Sequence, residues 1–223
     1  MSAARLACPA PPVAGAPPLA LGPRELALRL TGALALGIVL GAASRLGNRL
    51  PAGPDWIANL AGPWLAVAFI LGATCASRRL GALLGTLVLL TGVASYYAVL
   101  VAEQGGVPVP AAASFWLVGA LAGGQLLGAA GAALRARRPI QRVGAVVLLA
   151  SCLAGESALL LARGYPLAES AVIGSELLVA LALPLVLLRS WRDRAIALAA
   201  TAVLSTAVLA ALQVGFGIMR TLA

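Results

Sequence analysis

The chain has 223 residues, of which 61% are apolar and only 10% are charged. A soluble globular domain carries about 25% charged residues, so this composition is typical of a membrane protein. A helix needs about 20 apolar residues to cross a hydrocarbon core about 30 Å thick. Stretches of that length take up most of the chain, and the remainder is too short for a soluble catalytic or nucleotide-binding domain.

The residue types exclude several kinds of chemistry. The chain has no His, which removes Ser-His hydrolysis and His-based metal sites. Cys8, Cys75 and Cys152 are far apart and lack Cys-x-x-Cys spacing, so they predict neither a disulfide framework nor a zinc site. We therefore expect no metal, no cofactor and no enzymatic activity. The net charge of +9 comes from Arg residues that flank apolar runs, and it does not indicate a nucleic-acid partner.

The succession of seven long apolar stretches along the chain predicts an all-α fold, a polytopic transmembrane bundle of seven spans. Residues 1–25 are rich in Pro and Ala, which prevents a continuous helix, and we expect a flexible cytoplasmic tail there. The transmembrane bundle is predicted over residues 26–218, followed by a short tail at 219–223. The predicted spans are 26–46, 60–77, 80–102, 113–134, 143–162, 171–188 and 195–218.

The positions of the Arg residues predict the orientation of this bundle. The positive-inside rule favours the topology with the N-terminus inside and the C-terminus outside, in a bacterial cytoplasmic (inner) membrane. On the inner side this topology places Arg5, Arg24, Arg29, Arg78, Arg79, Arg135, Arg137, Arg138, Arg142, Arg189, Arg192 and Arg194, and on the outer side Arg45, Arg49, Arg163 and Arg220.

The first span has a competing interpretation. Its apolar stretch from Leu30 to Gly41 is short, and the small residues Ala42, Ala43 and Ser44 follow it. The same pattern is found in a signal peptide that is cleaved after its apolar core.

Two acidic residues fall well inside predicted spans, Glu156 in the fifth and Glu176 in the sixth. An ionised side chain at the bilayer centre costs about 2.5 to 3.5 kcal/mol, so each must face protein or water, or be protonated. The helical rise places both about 9 to 10 Å below the outer ends of adjacent antiparallel helices. We expect the two carboxyl groups to face each other; the alternative for Glu156 is an ion pair with Arg163.

Other polar and aromatic residues fall in the same layer, and with the two glutamates they form a candidate outward-facing pocket for a cation, a proton or a small solute. Aromatic residues at this depth are also typical of the membrane-interface belt, and Gln residues in spans of interhelical hydrogen bonds. Glu103 is expected to be a solvated loop end. The additional pocket candidates are Asn59, Trp64, Tyr96, Tyr97, Trp116 and Gln213.

Small residues recur at four-residue spacing in two of the spans. Gly37 and Gly41 share one face of the first span, and Gly124 and Gly128 share one face of the fourth. Such stripes let helix backbones approach closely. They predict either packing within the bundle or, for the first span above all, contact with a membrane partner or a second copy.

Several short segments carry a resemblance to a known family. They are Asn59 to Gly72, Arg78-Arg79, Gly85, Tyr96-Tyr97 and Gly155-Glu156. In these segments the chain resembles an actinobacterial family of multi-pass membrane proteins known only as a domain of unknown function. The resemblance covers roughly residues 30–215 and implies a helical inner-membrane protein, without an established activity.

Two functions follow from these patterns. The first is a small-solute or ion permease, or a solute-binding membrane subunit, that uses the glutamates and the surrounding aromatic residues. The second is a non-catalytic membrane scaffold that packs against a partner through its small-residue helix faces.

Overall fold

The computed structural model describes residues 22–48, 60–105, 110–164 and 167–222. The regular structure in these ranges is entirely helical, which confirms the all-α prediction. Most of the predicted N-terminal tail and Asn59 lie outside the described residues. The seven helices are α1 (Pro23–Gly47), α2 (Ala61–Ala73), α3 (Arg78–Gln104), α4 (Pro110–Ala133), α5 (Pro139–Ala162), α6 (Leu167–Leu187) and α7 (Trp191–Leu222).

The described part of the chain contains five helices that are long and apolar enough to cross a membrane, namely α1, α3, α4, α5 and α7. The segment Leu30 to Gly41 lies in the middle of α1. Helix α2 has only 13 residues, which corresponds to about 20 Å and is less than the thickness of a hydrocarbon core. The apolar part of α6, Ile173–Leu187, is also shorter than a full span.

Helix α2 stops at Ala73, four residues before the end of the predicted span 60–77. The Thr74 hydroxyl donates to the Leu71 carbonyl at 2.7 Å, which offers the backbone an alternative to continuing the helix. Arg29 of α1 donates from Nη1 to the Thr74 carbonyl at 3.2 Å. A cation at a helix C-terminus is favourable, so this contact stabilises the end of α2. The Ser77 side chain then accepts the Leu80 N–H at 3.2 Å and caps α3.

The helices form two groups. Helix α3 packs mainly against α1 and α4 and also contacts α2, while α5 packs against α6 and α7. Helices α2 and α4 join the groups by contacting α5. Gly72 and Gly81 both lie against Gly128, which brings the end of α2, the start of α3 and the end of α4 to one level. A cluster of Val143, Leu188 and Ala197 adds the neighbouring ends of α5, α6 and α7. We call this end of the bundle the arginine-rich end, because it contains Arg78, Arg79, Arg135, Arg137, Arg138, Arg189 and Arg192.

The small-residue stripes are used within the bundle. A methyl group on Gly37 would overlap Thr91 of α3, and one on Gly41 would overlap the backbone of Gly92. The stripe on α4 is packed in the same way. There Gly124 lies against Gly85 and Thr86 of α3, and Gly128 lies against Gly81 and Gly85. The faces predicted as partner surfaces are therefore occupied by α3.

At the opposite end, α1 and α3 are joined by a largely buried ion pair. Nε and Nη2 of Arg45 lie 2.8 and 2.7 Å from Oε2 of Glu103. The two side chains are only 16% and 11% exposed. The expectation that Glu103 is a solvated loop end is therefore wrong, because Arg45 supplies a charge partner for it.

Candidate functional site

Glu156 binds the N-terminus of helix α2. Its Oε1 accepts the Ala61 N–H at 2.7 Å, and its Oε2 accepts the Gly62 N–H at 2.6 Å. The N-cap residue of α2 is Leu60, whose side chain cannot supply a capping bond. A carboxylate from another helix thus replaces the cap that the local sequence lacks.

The sequence at the start of α2 suits this contact. The first N–H groups of an α-helix have no partner within the helix, and their partial positive charge favours an anion. Pro63 has no N–H, which removes one of these donors. Glu156 accepts two of those that remain. The charge of Glu156 is therefore stabilised by the helix end rather than by an arginine.

Glu176 of α6 lies beside Glu156. The Ser157 hydroxyl donates to Oε2 of Glu176 at 3.1 Å and lies 3.4 Å from the Ile173 carbonyl. Oε1 of Glu176 is buried and accepts no hydrogen bond from an N–H or hydroxyl group of the described residues, while the carboxyl group of Glu156 is beside that of Glu176. This oxygen lies against Gly62, where a methyl group would overlap it. Gly62 thus allows both carboxyl groups to reach the start of α2.

The two carboxyl groups are direct electrostatic neighbours. The ion pairs within the described ranges are Arg29 with Glu25 and Arg45 with Glu103, so no arginine there compensates the two glutamates. Two carboxylates in contact cannot both remain ionised away from water without a compensating charge. The arrangement is suited to holding one proton or one cation.

A cavity of about 440 Å³ lies between the two helix groups, and Glu156 is on its wall. Five helices line it, α2, α3, α4, α5 and α7. Aromatic and aliphatic side chains form most of the wall. Among the predicted pocket residues, those that line this cavity are Trp64, Tyr96, Tyr97, Trp116 and Glu156.

The cavity reaches the surface of the bundle beside α4. Gly119 and Leu126 line it and are also exposed on the surface of the bundle, Leu126 by 57%. Toward the opposite end, Phe115 and Trp116 of α4 contact Phe216 of α7, with ring centroids 5.6 and 6.3 Å apart. This aromatic cluster joins the two helices, and Gly119 and Leu126 lie along α4 on the arginine-rich side of the cluster.

Other predicted site residues lie elsewhere. Gln213 lines a second cavity of about 260 Å³, together with Arg163 and Phe216. The guanidinium of Arg163 lies 4.3 Å from the centre of the Phe216 ring. The alternative pairing of Glu156 with Arg163 is therefore wrong. Glu176 contacts Glu156 but is not among the residues that line the larger cavity.

Several residues of the site were missed by sequence reasoning. Phe115, Gly62 and Ser157 all touch the cavity or the carboxyl pair. The Gly62-Pro63 pair at the start of an apolar run was an available signal, because it marks a helix N-terminus with few donors left to satisfy. Ser157 directly follows Glu156, but nothing in the sequence indicates that its hydroxyl turns toward Glu176.

The fold indicates the class of protein to which the chain belongs. The described part of the chain is helical, and five of its helices are long and apolar enough to span a membrane. This is the architecture expected of an integral membrane protein. A family model then matches residues 21–218, and the chain belongs to that family, the family of unknown function DUF6518. No curated protein and no solved structure matches the chain.

Proposed function

We propose that this protein is a small-solute permease, or a solute-binding membrane subunit, which takes a mostly apolar solute into the cavity beside Glu156. The observation that carries the proposal is the cavity itself. Its volume of about 440 Å³ is within the range of small-molecule sites, which are largely apolar with a few placed polar groups. A binding role, rather than catalysis, is proposed.

The topology belongs to the same proposal. We propose seven spans in a bacterial inner membrane, with the arginine-rich end inside, and an actinobacterial origin. The Arg residues in or next to the connections between α2 and α3, α4 and α5, and α6 and α7 support this orientation. The carboxyl pair then lies toward the outer side, since Glu156 is about 9 Å from the end of α5 at Ala162.

The side opening supports entry of the solute from the lipid. Gly119 and Leu126 of α4 and Val208 and Leu212 of α7 line the cavity, and many surface residues on these two helices are large and apolar. A solute whose apolar part is inserted among the acyl chains could reach the cavity by this route. We propose that α4 and α7 form this lateral entrance.

Closing the entrance is expected to remove binding. In Gly119→Phe, the new side chain has room to fold over the opening, because no described atom lies within 4 Å of a Cβ at this position. We expect saturable binding of tritiated neopentylbenzene or benzyltrimethylammonium to wild-type protein in nanodiscs, measured by equilibrium dialysis against empty nanodiscs. Binding of these probes should fall at least about tenfold in Gly119→Phe, a loss of about 1.4 kcal/mol.

Two control variants make this test specific. Gly144→Phe introduces the same side chain at another exposed glycine with open space around it, on α5 and away from the cavity. In a second pair of variants, Trp116→Ala removes a side chain from the wall of the cavity. Its control is Trp191→Ala, which removes a tryptophan that is 74% exposed outside the cavity. Binding should survive Gly144→Phe and Trp191→Ala. Absence of saturable binding of both probes to the wild type would refute the proposed function.

The scaffold alternative has less support. The glycine faces through which it was expected to act are packed against α3.

A further inference from the structure

We propose that the solute is an organic ammonium ion, and that it binds in exchange for one proton held by Glu156 and Glu176. This inference rests on the proposed function and adds the chemical class of the ligand and the ion that is exchanged for it.

The walls of the cavity favour an ammonium ion over an uncharged solute of the same shape. Trp64, Tyr96, Tyr97, Phe115 and Trp116 line it from three helices. Their rings occur as edge-to-face pairs, Tyr96 with Tyr97 at 5.4 Å and Phe115 with Trp116 at 5.3 Å. Aromatic faces attract a weakly hydrated cation, and quaternary ammonium groups are bound in such aromatic surroundings.

The carboxyl pair supplies the negative charge that a cation requires. Glu176 is only 9% exposed, and no N–H or hydroxyl group of the described residues donates to its Oε1. Glu156 interacts with the carboxyl group of Glu176 and also lines the cavity. An ammonium ion beside Glu156 therefore interacts with the charge of both carboxyl groups, while a neutral solute does not.

The exchange balances in charge and in atoms. Without a ligand, the pair carries one proton and one negative charge, because two contacting carboxylates are not both ionised in an apolar environment. An ammonium ion that enters the cavity stabilises the second negative charge. The O–H bond of the shared proton then breaks, and the proton leaves to water, so one positive charge enters for each one that leaves.

Few other groups can take part in this titration. Cys152 of α5 is next to Glu156, and Tyr96 and Tyr97 of α3 line the same cavity. Glu176 comes from α6. The residues of α2, α4 and α7 that line the cavity carry no titratable side chain.

The experiment compares benzyltrimethylammonium with neopentylbenzene, its uncharged carbon isostere, in weakly buffered nanodiscs with a pH indicator. Wild-type protein should bind the ammonium ion at least about tenfold more tightly than the isostere and release about one proton per ion bound. Its affinity should rise by up to about tenfold per pH unit, because a higher pH favours loss of the proton.

Glu176→Gln is the main variant, since Glu156 also caps α2. It should still bind the ammonium ion, but without proton release and with an affinity that no longer depends on pH. Glu25→Gln serves as the matched control, because Glu25 is exposed and paired with Arg29 far from the cavity. This control should retain both the release and the pH dependence.

The outcomes separate this inference from the proposed function. Equal affinities for the two probes would overturn the ammonium preference and leave the cavity function standing. Tight ammonium binding without proton release would overturn the exchange. Binding of neither probe would refute the proposed function and this inference together.

Discussion

Replacing Glu156 by alanine is expected to lower the free energy of unfolding by about 3 to 6 kcal/mol. The substitution removes two hydrogen bonds between a carboxylate and the N–H groups of Ala61 and Gly62. Hydrogen bonds to charged groups contribute about 1.5 to 3 kcal/mol each, and the donors would remain inside the bundle without a partner. The positive end of the α2 dipole would also lose its counter-charge.

This effect should be specific to Glu156 and not shared by its neighbour. Glu176→Gln keeps an acceptor for Ser157 and, like the protonated carboxyl group that it replaces, adds no negative charge beside Glu156, so we expect a change within about 1 kcal/mol. Reversible unfolding in mixed micelles, followed by circular dichroism, measures both variants. Equal losses of stability in the two variants would show that Glu156 does not act as the cap of α2.

The second large effect is expected at the contact between α3 and α4. In Gly128→Val, the first added carbon would overlap the carbonyl of Gly81 and lie 3.2 Å from Cα of Gly85. Both obstacles are backbone atoms, which cannot move aside as a flexible side chain can. The two helices must separate along the contact, and we expect a loss of about 3 kcal/mol or more in unfolding free energy.

A valine elsewhere on the same helix provides the control. Gly119 of α4 has no described atom within 4 Å of the position that a Cβ would take. Gly119→Val should therefore change the stability by less than about 0.5 kcal/mol, as is usual for surface substitutions. Thermal unfolding of both variants and of the wild type in the same detergent tests this difference. A Gly128→Val protein as stable as Gly119→Val would contradict the packing described for α3 and α4.

The helical architecture was predictable from the sequence because a run of apolar residues has a direct physical meaning. Long, weakly charged stretches favour helices, and the prolines at positions 23, 110 and 139 mark the first residues of α1, α4 and α5. The start of α2 was predicted within one residue of Ala61. The end of α2 was not predicted, because it depends on the hydrogen bond from the Thr74 hydroxyl to the Leu71 carbonyl and on the contact between Thr74 and the distant Arg29.

The candidate site was predictable in depth but not in its contacts. Counting the helical rise placed Glu156 and Glu176 at one level, and the structure brings them together. That count carries no information on which backbone a carboxylate will meet. The N-terminus of α2 is about 95 residues earlier in the chain, so its contact with Glu156 depends entirely on tertiary packing. Gln213, in contrast, lines a different cavity from the one beside Glu156.

The dependence of α2 on Glu156 has a consequence for biosynthesis. The ribosome makes α2 long before it makes α5. The first N–H groups of α2 therefore lack the carboxylate of Glu156 as an acceptor while the intervening helices are produced. We expect the nascent α2 to stay near the water boundary during that interval and to settle into the bundle only when α5 arrives. A helix that is early in the chain would thus be among the last to reach its final depth.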